Sequence, residues 1–519
     1  MKPIYITTPI YYASGSPHLG HAYTTILADC FTRFFKLIGR ETRFTTGTDE
    51  HGLKIERTAQ KNGKAPKEFV DELAERFKAS WESLNIEYDD FIRTTEDRHK
   101  KVAQDIWKRM EDNGDIYLGK YEGLYCVECE QYYAEGELSE GSLCPIHGRK
   151  VELMSEDTYF FRLSKYHDQL LNYIESHPNF IFPETRKNEV LGFLKHNKLQ
   201  DLSISRTSFN WGIPVPGSDK HIIYVWIDAL TNYISSLGGM GTEAYEKFWS
   251  NTIHIIGKDI LRFHAVYWPC MLMSAGLPLP ETLIVHGWWT ISNKKISKSD
   301  PATKLDPVML SKDITTDAVK YFLLKELTVG KDGDLDYEAL IACINMGLAN
   351  NLGNLVSRTV SMAEKYLNGT VPALESKSSE PLDVELIEGA HKAAELVKEE
   401  MLAFNTSAAA NAILSFGDLL NLYIEKTLPW QLAKQPETTG RLHQVLAHLL
   451  EAINWISNLG YPFFPEFAKH IKIRLGEAEV FTWPSEFIMP QRQVSQGEVL
   501  FKRISKDDEK ILIEKWTSN

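Results

Sequence analysis

Cysteine is scarce in this sequence, with only six in 519 residues. Such sparse usage argues against a secreted fold held by disulfides, because small secreted domains are dense in cysteine. We find no apolar run long enough to cross a bilayer, and the opening MKPIYITTPIYY lacks the basic and apolar stretches of a signal peptide. We therefore expect a cytoplasmic protein with no membrane association.

Positive charge and a phosphate-binding loop are also lacking. The 57 Lys and Arg against 70 Asp and Glu give a formal net charge of −13, which taken alone argues weakly against nucleic-acid binding. A local basic groove can lie on an acidic protein, so the charge leaves that question to the motifs. The sequence has no G-x-x-x-x-G-K-[ST] segment, which disfavours a P-loop NTPase.

The length of the chain predicts several domains. Ile4–Thr8 and Arg43–Thr48 predict strands, and His18–Ile38 predicts a helix with Gly39 as its stop. Strand, turn, helix and strand begin a parallel α/β unit, in which ligands lie beyond the carboxyl ends of the strands. His18 and Asp49, which follows the second strand, fall at such positions.

The later part of the chain changes from strands to helices. Further strand-like runs are Ile222–Ile227, Thr252–Ile256 and Leu283–Val285. From about Glu338 onward, apolar residues recur at spacings of three and four, which predicts a helical bundle. Its most regular stretches are Ile387–Leu402, Ala408–Lys426 and Leu442–Leu459. We expect the charged tail after Val499 to pack loosely.

Two histidines open the first predicted helix, in the run His18-Leu19-Gly20-His21. The N–H groups at a helix start attract phosphate, and imidazoles three positions apart can donate to its oxygens. Gly20 would leave room for an adenine ring against the backbone. For an isolated four-residue match, two ordinary helix histidines are the commoner explanation, and a zinc-binding pair is another alternative.

A second short motif, Lys295-Ile296-Ser297-Lys298-Ser299, can bring two ammonium groups onto a triphosphate. By itself a lysine-rich turn is more often a solvated loop. The two motifs occur in this order on either side of an α/β pattern, and nearly no other class of enzyme needs both. Together they indicate adenylate-forming chemistry.

With these motifs the sequence resembles the class I aminoacyl-tRNA synthetases, and among them most closely the methionyl family. The resemblance runs over nearly the whole chain. It is carried by Pro9-Ile10-Tyr11-Tyr12 with Gly15 to His21, Gly47-Thr48-Asp49-Glu50-His51-Gly52, Trp211-Gly212-Ile213-Pro214-Val215, Tyr224-Val225-Trp226-Ile227-Asp228-Ala229, Gly257-Lys258-Asp259-Ile260 and His286-Gly287-Trp288.

The resemblance implies an α/β fold class: a Rossmann-like parallel-sheet catalytic domain, split by a zinc-containing connective domain and followed by an α-helical bundle that binds the anticodon. The catalytic halves would be 1–115 and 211–290, with the connective domain at 116–210. A stem-contact region with the lysine loop would span 291–337, and the bundle and tail 338–519. The interval between the motifs has no room for the large editing insertion of the isoleucine, valine and leucine relatives, which supports methionine.

The resemblance also implies the residues that contact the substrates. The methionine side chain would lie in an aromatic and apolar pocket, which suits a thioether, and Asp49 would pair with the α-ammonium group. Taken singly, each aromatic residue is more often plain core. The implied pocket is Ile10, Tyr12, Val225, Trp226, Ala229, Tyr233, Ile260, His264 and Trp268. ATP would be bound by His18, Gly20, His21, Gly257, Asp259, Lys295 and Lys298, with His18, His21, Lys295 and Lys298 as the catalytic residues.

Cys126-x2-Cys129-x14-Cys144-x2-His147 has the spacing of a metal site. Two close pairs separated by a loop can complete a tetrahedral zinc site, and three unrelated thiols with a stray imidazole are the less favoured explanation. The segment resembles the single zinc knuckle of some methionyl family members, with histidine as the fourth ligand. Because protein ligands would fill all four positions, we expect one structural zinc per chain.

The helical part carries the positions that match the family's anticodon-reading residues: Asn354 and Arg358 in Asn354-Leu355-Val356-Ser357-Arg358, and Trp430 after Pro429. Amide and guanidinium groups can read base edges, and an indole can stack on an unpaired base. Without the family match, a helix cap at Asn354 and core packing of Trp430 explain these residues equally well.

The implied substrates are methionine, ATP with Mg²⁺, and the initiator and elongator methionine tRNAs. We expect the chain to lack the extra C-terminal dimerising tRNA-binding domain that some relatives carry, and therefore to be a monomer. Two alternatives stay open: an adenylate-forming nucleotidyltransferase, and a tRNA-binding or scaffold homologue without catalysis.

One departure from the family is the Asp300-Pro301 turn in place of Leu-Gly-Asn, which puts the movement of the lysine loop in question.

Overall fold

The structure is a computed structural model that describes residues 2–128, 131–133, 136, 138–139, 141–146, 148–291, 294–295, 305–375 and 378–517. The predicted site residues Cys129, His147 and Lys298 lie outside these ranges, as does the turn at Asp300-Pro301. For Lys295 the structure describes the backbone and not the side chain.

The first quarter of the chain is the predicted α/β unit. Its helix α1 ends before Gly39, whose φ of +81° is a conformation that favours glycine, so the predicted stop is confirmed. The elements are β1 (Ile4–Thr7), β2 (Tyr11–Tyr12), α1 (Leu19–Leu37), β3 (Thr42–Asp49), α2 (Leu53–Lys61), α3 (Pro66–Ser83), β4 (Asp90–Arg93) and α4 (Asp97–Asp112).

An antiparallel sheet follows, in the part of the chain that contains the cysteine pairs. Its strand order is β6-β5-β7-β9, and its longest ladder runs from Ile116 beside Phe161 to Tyr125 beside Glu152. The elements of this stretch are β5 (Ile116–Cys126), β6 (Gln131–Tyr133), β7 (Glu152–Phe161), α5 (His167–Ser176), β8 (Ile181–Phe182), α6 (Glu184–His196), β9 (Leu202–Ser203) and β10 (Ser205–Arg206).

The third stretch returns to the parallel sheet. Its elements are β11 (Ile222–Ile223), α7 (Val225–Leu230), α8 (Asn232–Ser235), α9 (Glu243–Phe248), β12 (Thr252–Gly257), α10 (Trp268–Ser274), β13 (Thr282–His286), β14 (Trp289–Ile291), β15 (Lys294–Lys295), α11 (Pro307–Ile314), α12 (Thr316–Glu326) and β16 (Gly333–Asp334). A π-helical turn, Phe263–Tyr267, precedes α10.

The predicted strand over Ile222–Ile227 is wrong beyond Ile223, because α7 begins at Val225. β-branched and aromatic residues favour a strand locally, but tertiary contacts override that preference here. In the helix, Trp226 stacks on Phe263 and Asp228 hydrogen-bonds His51.

The last third of the chain is the predicted helical bundle. A π-helical segment, Ile344–Gly353, joins its first two helices. The elements are α13 (Tyr337–Cys343), α14 (Asn354–Leu367), β17 (Thr370–Val371), α15 (Pro381–Leu402), α16 (Thr406–Thr427), α17 (Pro429–Leu432), α18 (Thr439–Gly460), α19 (Pro465–Arg474), β18 (Arg492–Gln493) and α20 (Lys506–Thr517).

The tail departs from its expected loose packing. Residues 506–517 form α20, and the ring of Trp516 is buried beside Tyr337. The indole Nε1 of Trp516 donates to Asp313 at 2.9 Å, and Lys515 pairs with the same carboxylate at 2.6 Å. The tail is therefore fastened to α11 and α13.

One helical run, Tyr337–Leu367, meets a length and hydropathy test for crossing a bilayer, contrary to the expectation that no such stretch exists. Of its most apolar window, 61% is buried inside the protein. Leu348, Leu352 and Leu355 belong to the main core, so this run packs as a core helix does.

A seven-stranded parallel sheet positions the candidate site. Its strand order is β4-β3-β1-β12-β13-β8, and β2 continues the line of β1 along β3. The predicted α/β class with a parallel sheet and a helical C-terminal region is thereby confirmed. The carboxyl ends of β3, β12 and β13 bring Asp49, Gly257 and His286 to one edge, where ligands of such sheets bind.

The main apolar core runs without a break from the sheet into the bundle, since Phe31 of α1, Leu324 of α12 and Leu450 of α18 belong to one cluster. At this boundary lies a group of buried charges that we name the junction cluster: Asp29 and Arg33 of α1, and Lys320 of α12. Asp29 accepts from Arg33 at 2.9 Å and from Lys320 at 2.8 Å.

Candidate active site at the carboxyl edge of the sheet

The two histidines of the first motif cap α1 reciprocally. His18 Nδ1 accepts a hydrogen bond from the backbone N–H of Gly20, and His21 Nδ1 accepts one from the backbone N–H of His18, each at 3.1 Å. The rings stack with centroids 3.7 Å apart. Because both Nδ1 atoms accept, each neutral imidazole carries its proton on Nε2. Each ring thus has a donor separate from the atom that holds the helix.

Gly20 keeps this arrangement possible. A Cβ at this position would lie 3.0 Å from Cε1 of His18, a distance tighter than ordinary contact. In this structure the group that lies against Gly20 is therefore the imidazole of His18. The space for an adenine ring at Gly20 stays a prediction.

The predicted ATP residues of β12 lie farther along the same edge. Gly257 ends the strand, and a Cβ there would lie 2.6 Å from Oδ1 of Asp259. Asp259 is exposed and accepts from the indole Nε1 of Trp288 at 3.2 Å. His286, at the end of β13, hydrogen-bonds Thr24 of α1 at 2.7 Å and so ties α1 to the sheet.

The lysine motif begins on a described strand. The backbone of Lys295 pairs with Thr290 in β14, and the side chains of Lys295 and Lys298 lie outside the described atoms. Beyond the undescribed residues, Leu305 is buried, and its carbonyl accepts from the backbone N–H of Leu19 at 3.3 Å. The chain six residues beyond the motif therefore contacts the start of α1.

Asp49 ends β3 and is buried, with its backbone paired to Tyr12. The next residue, Glu50, is fully buried and accepts two hydrogen bonds from Arg93, at 2.7 and 3.1 Å. Gly47 permits this approach of β3 to β4, since a Cβ there would lie 2.0 Å from the carbonyl oxygen of Ile92.

His51 continues this polar network to α7. Its Nδ1 lies 2.7 Å from Oδ2 of Asp228, and the other oxygen of Asp228 lies 2.7 Å from Nε2 of His99. Burial would raise the pKa of Asp228, but the two imidazoles hold it below its ordinary value. The roles of Arg93, His99 and Asp228 were not predicted from the sequence, although Asp228 lies in one of the segments that carry the family resemblance.

The residues predicted for the methionine side chain fall into two groups. Ile10 and Ala229 share a small apolar cluster with Ile92, while Trp226 stacks on Phe263 at 3.6 Å. Ile92 and Phe263 were missed in the sequence, because each is brought in by a different element.

The second group is a set of buried rings. The hydroxyl of Tyr233 lies 2.6 Å from Nε2 of His264, and His264 Nδ1 donates to the carbonyl of Ile260 at 2.9 Å. Since Nδ1 carries the proton, the Tyr233 hydroxyl is the donor to Nε2. Burial lowers the pKa of His264 to about 4, so its ring is neutral at neutral pH. Trp268 is fully buried beside Tyr233, and Val225 and Tyr12 belong to or border the same core.

Two of the four predicted zinc ligands are described. Cys126 and Cys144 are both buried in one small cluster with Tyr133 and Val151. The backbone N–H of Gly148 donates to the carbonyl of Cys144 at 2.8 Å, and Gly148 has a φ of +60°, so the chain turns tightly there. Among the described residues no three potential ligands converge, which follows because Cys129 and His147 are outside them.

The predicted anticodon residues lie on the surface of the bundle. Asn354 begins α14, and Arg358 follows one turn later on the same face; both are exposed. Trp430 lies on α17 with 36% of its surface exposed. Neither Asn354 nor Trp430 is a core residue, which removes the core-packing explanation for Trp430.

Comparisons with known proteins all indicate the same family. The family described as tRNA synthetases class I (M) matches residues 4–147 and 136–360. The methionine–tRNA ligase of Clostridium perfringens is 48% identical over 513 residues, covering 98% of this chain and 79% of that protein. The methionine–tRNA ligase of Caldanaerobacter subterraneus is 46% identical and covers 99% of this chain and 81% of its own.

Solved structures give the same result. The Mycobacterium tuberculosis methionyl-tRNA synthetase bound by methionyl-adenylate matches 96% of this chain and 100% of its own, with a TM-score of 0.92 and 39% identity. The free-state structure of the M. tuberculosis enzyme matches 97% of this chain and 99% of its own, with a TM-score of 0.84 and 37% identity. The fold, the order of the motifs and these likenesses over 96–99% of the chain agree, and the chain belongs to the methionyl-tRNA synthetase family of class I aminoacyl-tRNA synthetases.

Proposed function

We propose that this chain charges methionine tRNAs by a two-step reaction at the carboxyl edge of its parallel sheet. The observation that carries the proposal is the carboxyl edge of the sheet, where Tyr11 of β2 packs against His21 at the start of α1 and Tyr12 pairs with Asp49 at the end of β3. Ligation of methionine to tRNA is the activity named for the relatives that match 98–99% of this chain.

Methionine would lie with its α-ammonium group on Asp49 and its thioether among the rings. A charge-assisted hydrogen bond orients the amino acid, while aromatic edges and a neutral imidazole suit a polarizable, uncharged side chain. The residues proposed for the side chain are Ile10, Tyr12, Val225, Trp226, Ala229, Tyr233, Ile260, His264 and Trp268.

ATP would lie over the start of α1. The Nε2 donors of His18 and His21 would face its phosphates, with Gly20 and Gly257 allowing close approach and Asp259 on the ribose hydroxyls. Lys295 and Lys298 would stabilise the charge on the departing pyrophosphate. The Mg²⁺ that accompanies ATP supplies further neutralisation of phosphate charge.

The chemistry needs no strong base in its first step, because the methionine carboxylate is already ionised. A carboxylate oxygen attacks the α-phosphorus, the bond to the bridging oxygen of the β-phosphate breaks, and pyrophosphate leaves. A hydroxyl oxygen of the 3′-terminal adenosine of tRNA then bonds to the carbonyl carbon, the bond from that carbon to the phosphate oxygen breaks, and AMP departs while the hydroxyl proton is released to solvent. Positioning and charge stabilisation account for the rate in both steps.

Zinc would be bound by Cys126, Cys129, Cys144 and His147 as one structural ion per chain. The fit rests on the burial of the two described thiols in one cluster and on the tight turn between Cys144 and Gly148. Four protein ligands leave no open position, so the ion would hold this part of the fold together rather than take part in the reaction.

The bundle would read the anticodon with Asn354, Arg358 and Trp430, which are all exposed. The division that we propose is a catalytic domain of 1–115 and 211–290, a connective domain of 116–210, a stem-contact region of 291–337, and a bundle with tail of 338–519. Initiator and elongator methionine tRNAs would both be substrates. We further propose that the chain acts as a cytoplasmic monomer.

Trp430→Ala tests the anticodon role. We expect charging of a tRNA with a CAU anticodon to fall about tenfold or more, because one stacked base is worth about 1–3 kcal/mol. Methionine-dependent ATP–pyrophosphate exchange should stay at the rate of the unaltered protein. Equal losses in both half-reactions would contradict the proposed role.

The activity is tested by ATP–pyrophosphate exchange without tRNA, using each of the twenty amino acids. We expect exchange with methionine alone. Exchange that ignores the amino acid would indicate a nucleotidyltransferase, and no exchange at all would indicate a homologue without catalysis.

Substitutions at α1 separate chemistry from folding. His21→Ala should cut exchange by about 100-fold or more, because a donor to the transition state is lost. His18→Ser should lower exchange by a similar factor and keep its stability, since serine is a preferred helix cap. The matched variant His18→Ala loses the cap as well and should be about 1 kcal/mol less stable. Normal exchange in His18→Ser would refute the assigned role.

A further inference from the structure

Another buried histidine, His254, packs against the proposed methionine pocket. His254 is in the middle of β12, where its backbone pairs with Thr7 of β1 on one side and Leu283 of β13 on the other. Its side chain is fully buried. It belongs to none of the motifs that carry the family resemblance, and it is among the residues that the sequence did not single out.

The two ring nitrogens of His254 have distinct partners. The indole Nε1–H of Trp268 can only donate, so Nε2 of His254 accepts at 3.3 Å. Nδ1 must then carry the proton of the neutral ring and donate it to the hydroxyl oxygen of Thr7 at 2.7 Å. Burial, with the neighbouring His264, holds the pKa of His254 well below its ordinary value, which keeps this tautomer uncharged.

The face of the His254 ring supports a second pocket residue. The ring of Tyr233 lies over it with centroids 4.0 Å apart and planes tilted by 35°. Tyr233 in turn donates to His264, whose other nitrogen donates to the backbone of Ile260. His254 therefore contacts two ring residues proposed for the pocket, one by its edge and one by its face.

We propose that His254 is a positioning residue that sets the shape of the methionine side-chain pocket by fixing the indole of Trp268 and the ring of Tyr233. This inference rests on the proposed assignment of Tyr233, His264 and Trp268 to the methionine side chain. His254 acts through those residues and touches neither ATP nor the reacting atoms. Loss of its edge contact should therefore loosen amino-acid recognition and leave nucleotide binding and the chemical step intact.

Two substitutions divide the ring's functions. Glutamine can present an acceptor near the place of Nε2, and asparagine can present a donor near the place of Nδ1. With His254→Asn the indole of Trp268 loses its acceptor, and we expect the KM for methionine in pyrophosphate exchange to rise about tenfold. The kcat and the KM for ATP should change less than about twofold. Under His254→Gln the methionine KM should stay within about threefold of that of the unaltered protein.

Discrimination provides a readout that simple destabilisation would not move. We expect His254→Asn to lower the preference for methionine over ethionine and norleucine in the exchange assay, because a mobile indole permits other side-chain shapes. Trp268→Phe deletes the same hydrogen bond from its other end and should reproduce this pattern. In the Trp268→Phe background, His254→Asn and His254→Gln should no longer differ, as a coupled pair requires.

The matched control is His448→Gln, which alters a buried histidine of the helical bundle and should leave every exchange parameter unchanged. The proposal is overturned if His254→Asn and Trp268→Phe both keep the normal methionine KM and selectivity. It is also overturned if both raise the KM values for methionine and ATP alike. Failure of the proposed function looks different, because the unaltered protein would then show no methionine-dependent exchange.

Discussion

The ring-lined group around Tyr233 and the junction cluster bury polar side chains in opposite ways. Around Tyr233, burial keeps His254 and His264 neutral, and each nitrogen exchanges an uncharged hydrogen bond with a fixed partner. At the junction, Asp29 and Lys320 are just as buried and lie 2.8 Å apart. Burial alone would raise the pKa of Asp29, but Arg33 and Lys320 hold it below its ordinary value.

The difference follows from what each region must do. The uncharged side chains around Tyr233 can bind an apolar substrate side chain without burying an unpaired charge against it. Recognition in this region therefore depends on shape. At the junction, charged side chains have several partners each: Lys320 and Arg33 also donate to the carbonyl of Asn85, at 2.7 and 3.0 Å, and Arg33 to the hydroxyl of Tyr461 at 2.9 Å. These bonds join α1 to the bundle in one orientation.

The largest expected effect comes from removing one charge at the junction. Lys320→Met leaves Asp29 buried with only Arg33 to compensate it, and we expect the free energy of unfolding to fall by about 3–5 kcal/mol. Urea denaturation measures the loss. Lys312→Met, at an exposed position on α11, is the matched control and should change the stability by less than about 0.5 kcal/mol. If the two variants lost the same free energy of unfolding, the buried pair of Asp29 and Lys320 would contribute no more to stability than an exposed lysine.

A carboxyl group at the same junction gives a pH-dependent effect. Asp317 is buried and accepts from the backbone N–H of Phe467 at 2.7 Å, and burial raises its pKa from 3.8 to about 6. Folding therefore favours the protonated form. The contribution of Asp317 to stability is full below about pH 4 and is lost as the pH rises through 6.

Asp317→Asn removes this titration. Relative to the unaltered protein, the variant should gain up to about 3 kcal/mol in free energy of unfolding between pH 4 and pH 7. Parallel urea titrations of the two proteins at four pH values check the gain. A difference that stays constant with pH would show that Asp317 keeps an ordinary pKa in the folded protein.

The smallest expected effect lies in the ring-lined group around Tyr233. Tyr233→Phe removes the hydroxyl that donates to His264 and leaves the ring in place. One neutral hydrogen bond is worth about 1 kcal/mol, so the KM for methionine should rise about fivefold, with the KM for ATP unchanged. Tyr321→Phe, a buried tyrosine of α12, should leave both constants as they are. If Tyr233→Phe raised the KM for methionine a hundredfold or more, the lost hydrogen bond would be as strong as one to a charged group. The ring-lined group around Tyr233 and the junction cluster would then not differ in this respect.

Much of the architecture could be predicted because it is written in local patterns. Apolar spacing predicted α16 and α18 to within three residues at either end and the end of α15 correctly, although α15 begins six residues before its predicted start, and the run at His18 marked the start of α1. Strand Ile222–Ile227 failed because its second half is held as a helix by contacts with Phe263 and His51, which are distant in sequence. The prediction of a loosely packed tail was wrong because Trp516 packs on residues that lie about 180–200 positions earlier in the chain.

The candidate site divides in the same way. Residues within short motifs, such as His18 and Asp49, could be named from the sequence because their chemistry and position occur together. His254 and Phe263 could not, since their importance arises from ring contacts with other elements. The junction could not be predicted either, because Asp29 and Lys320 are 291 residues apart and neither belongs to a recognisable motif.

The order of strands in the parallel sheet has a consequence for synthesis on the ribosome. β1 pairs with β3 about 40 residues later, but its other neighbour, β12, begins at Thr252. At roughly 5–20 residues per second, one edge of β1 waits on the order of 10–50 s for its partner to be made. An unpaired strand edge can form hydrogen bonds with the strands of other chains. The nascent protein is therefore most prone to aggregation, and most in need of a chaperone, during this period. Completion of the central sheet is thus a late event, set by distant pairing rather than by the speed of helix formation.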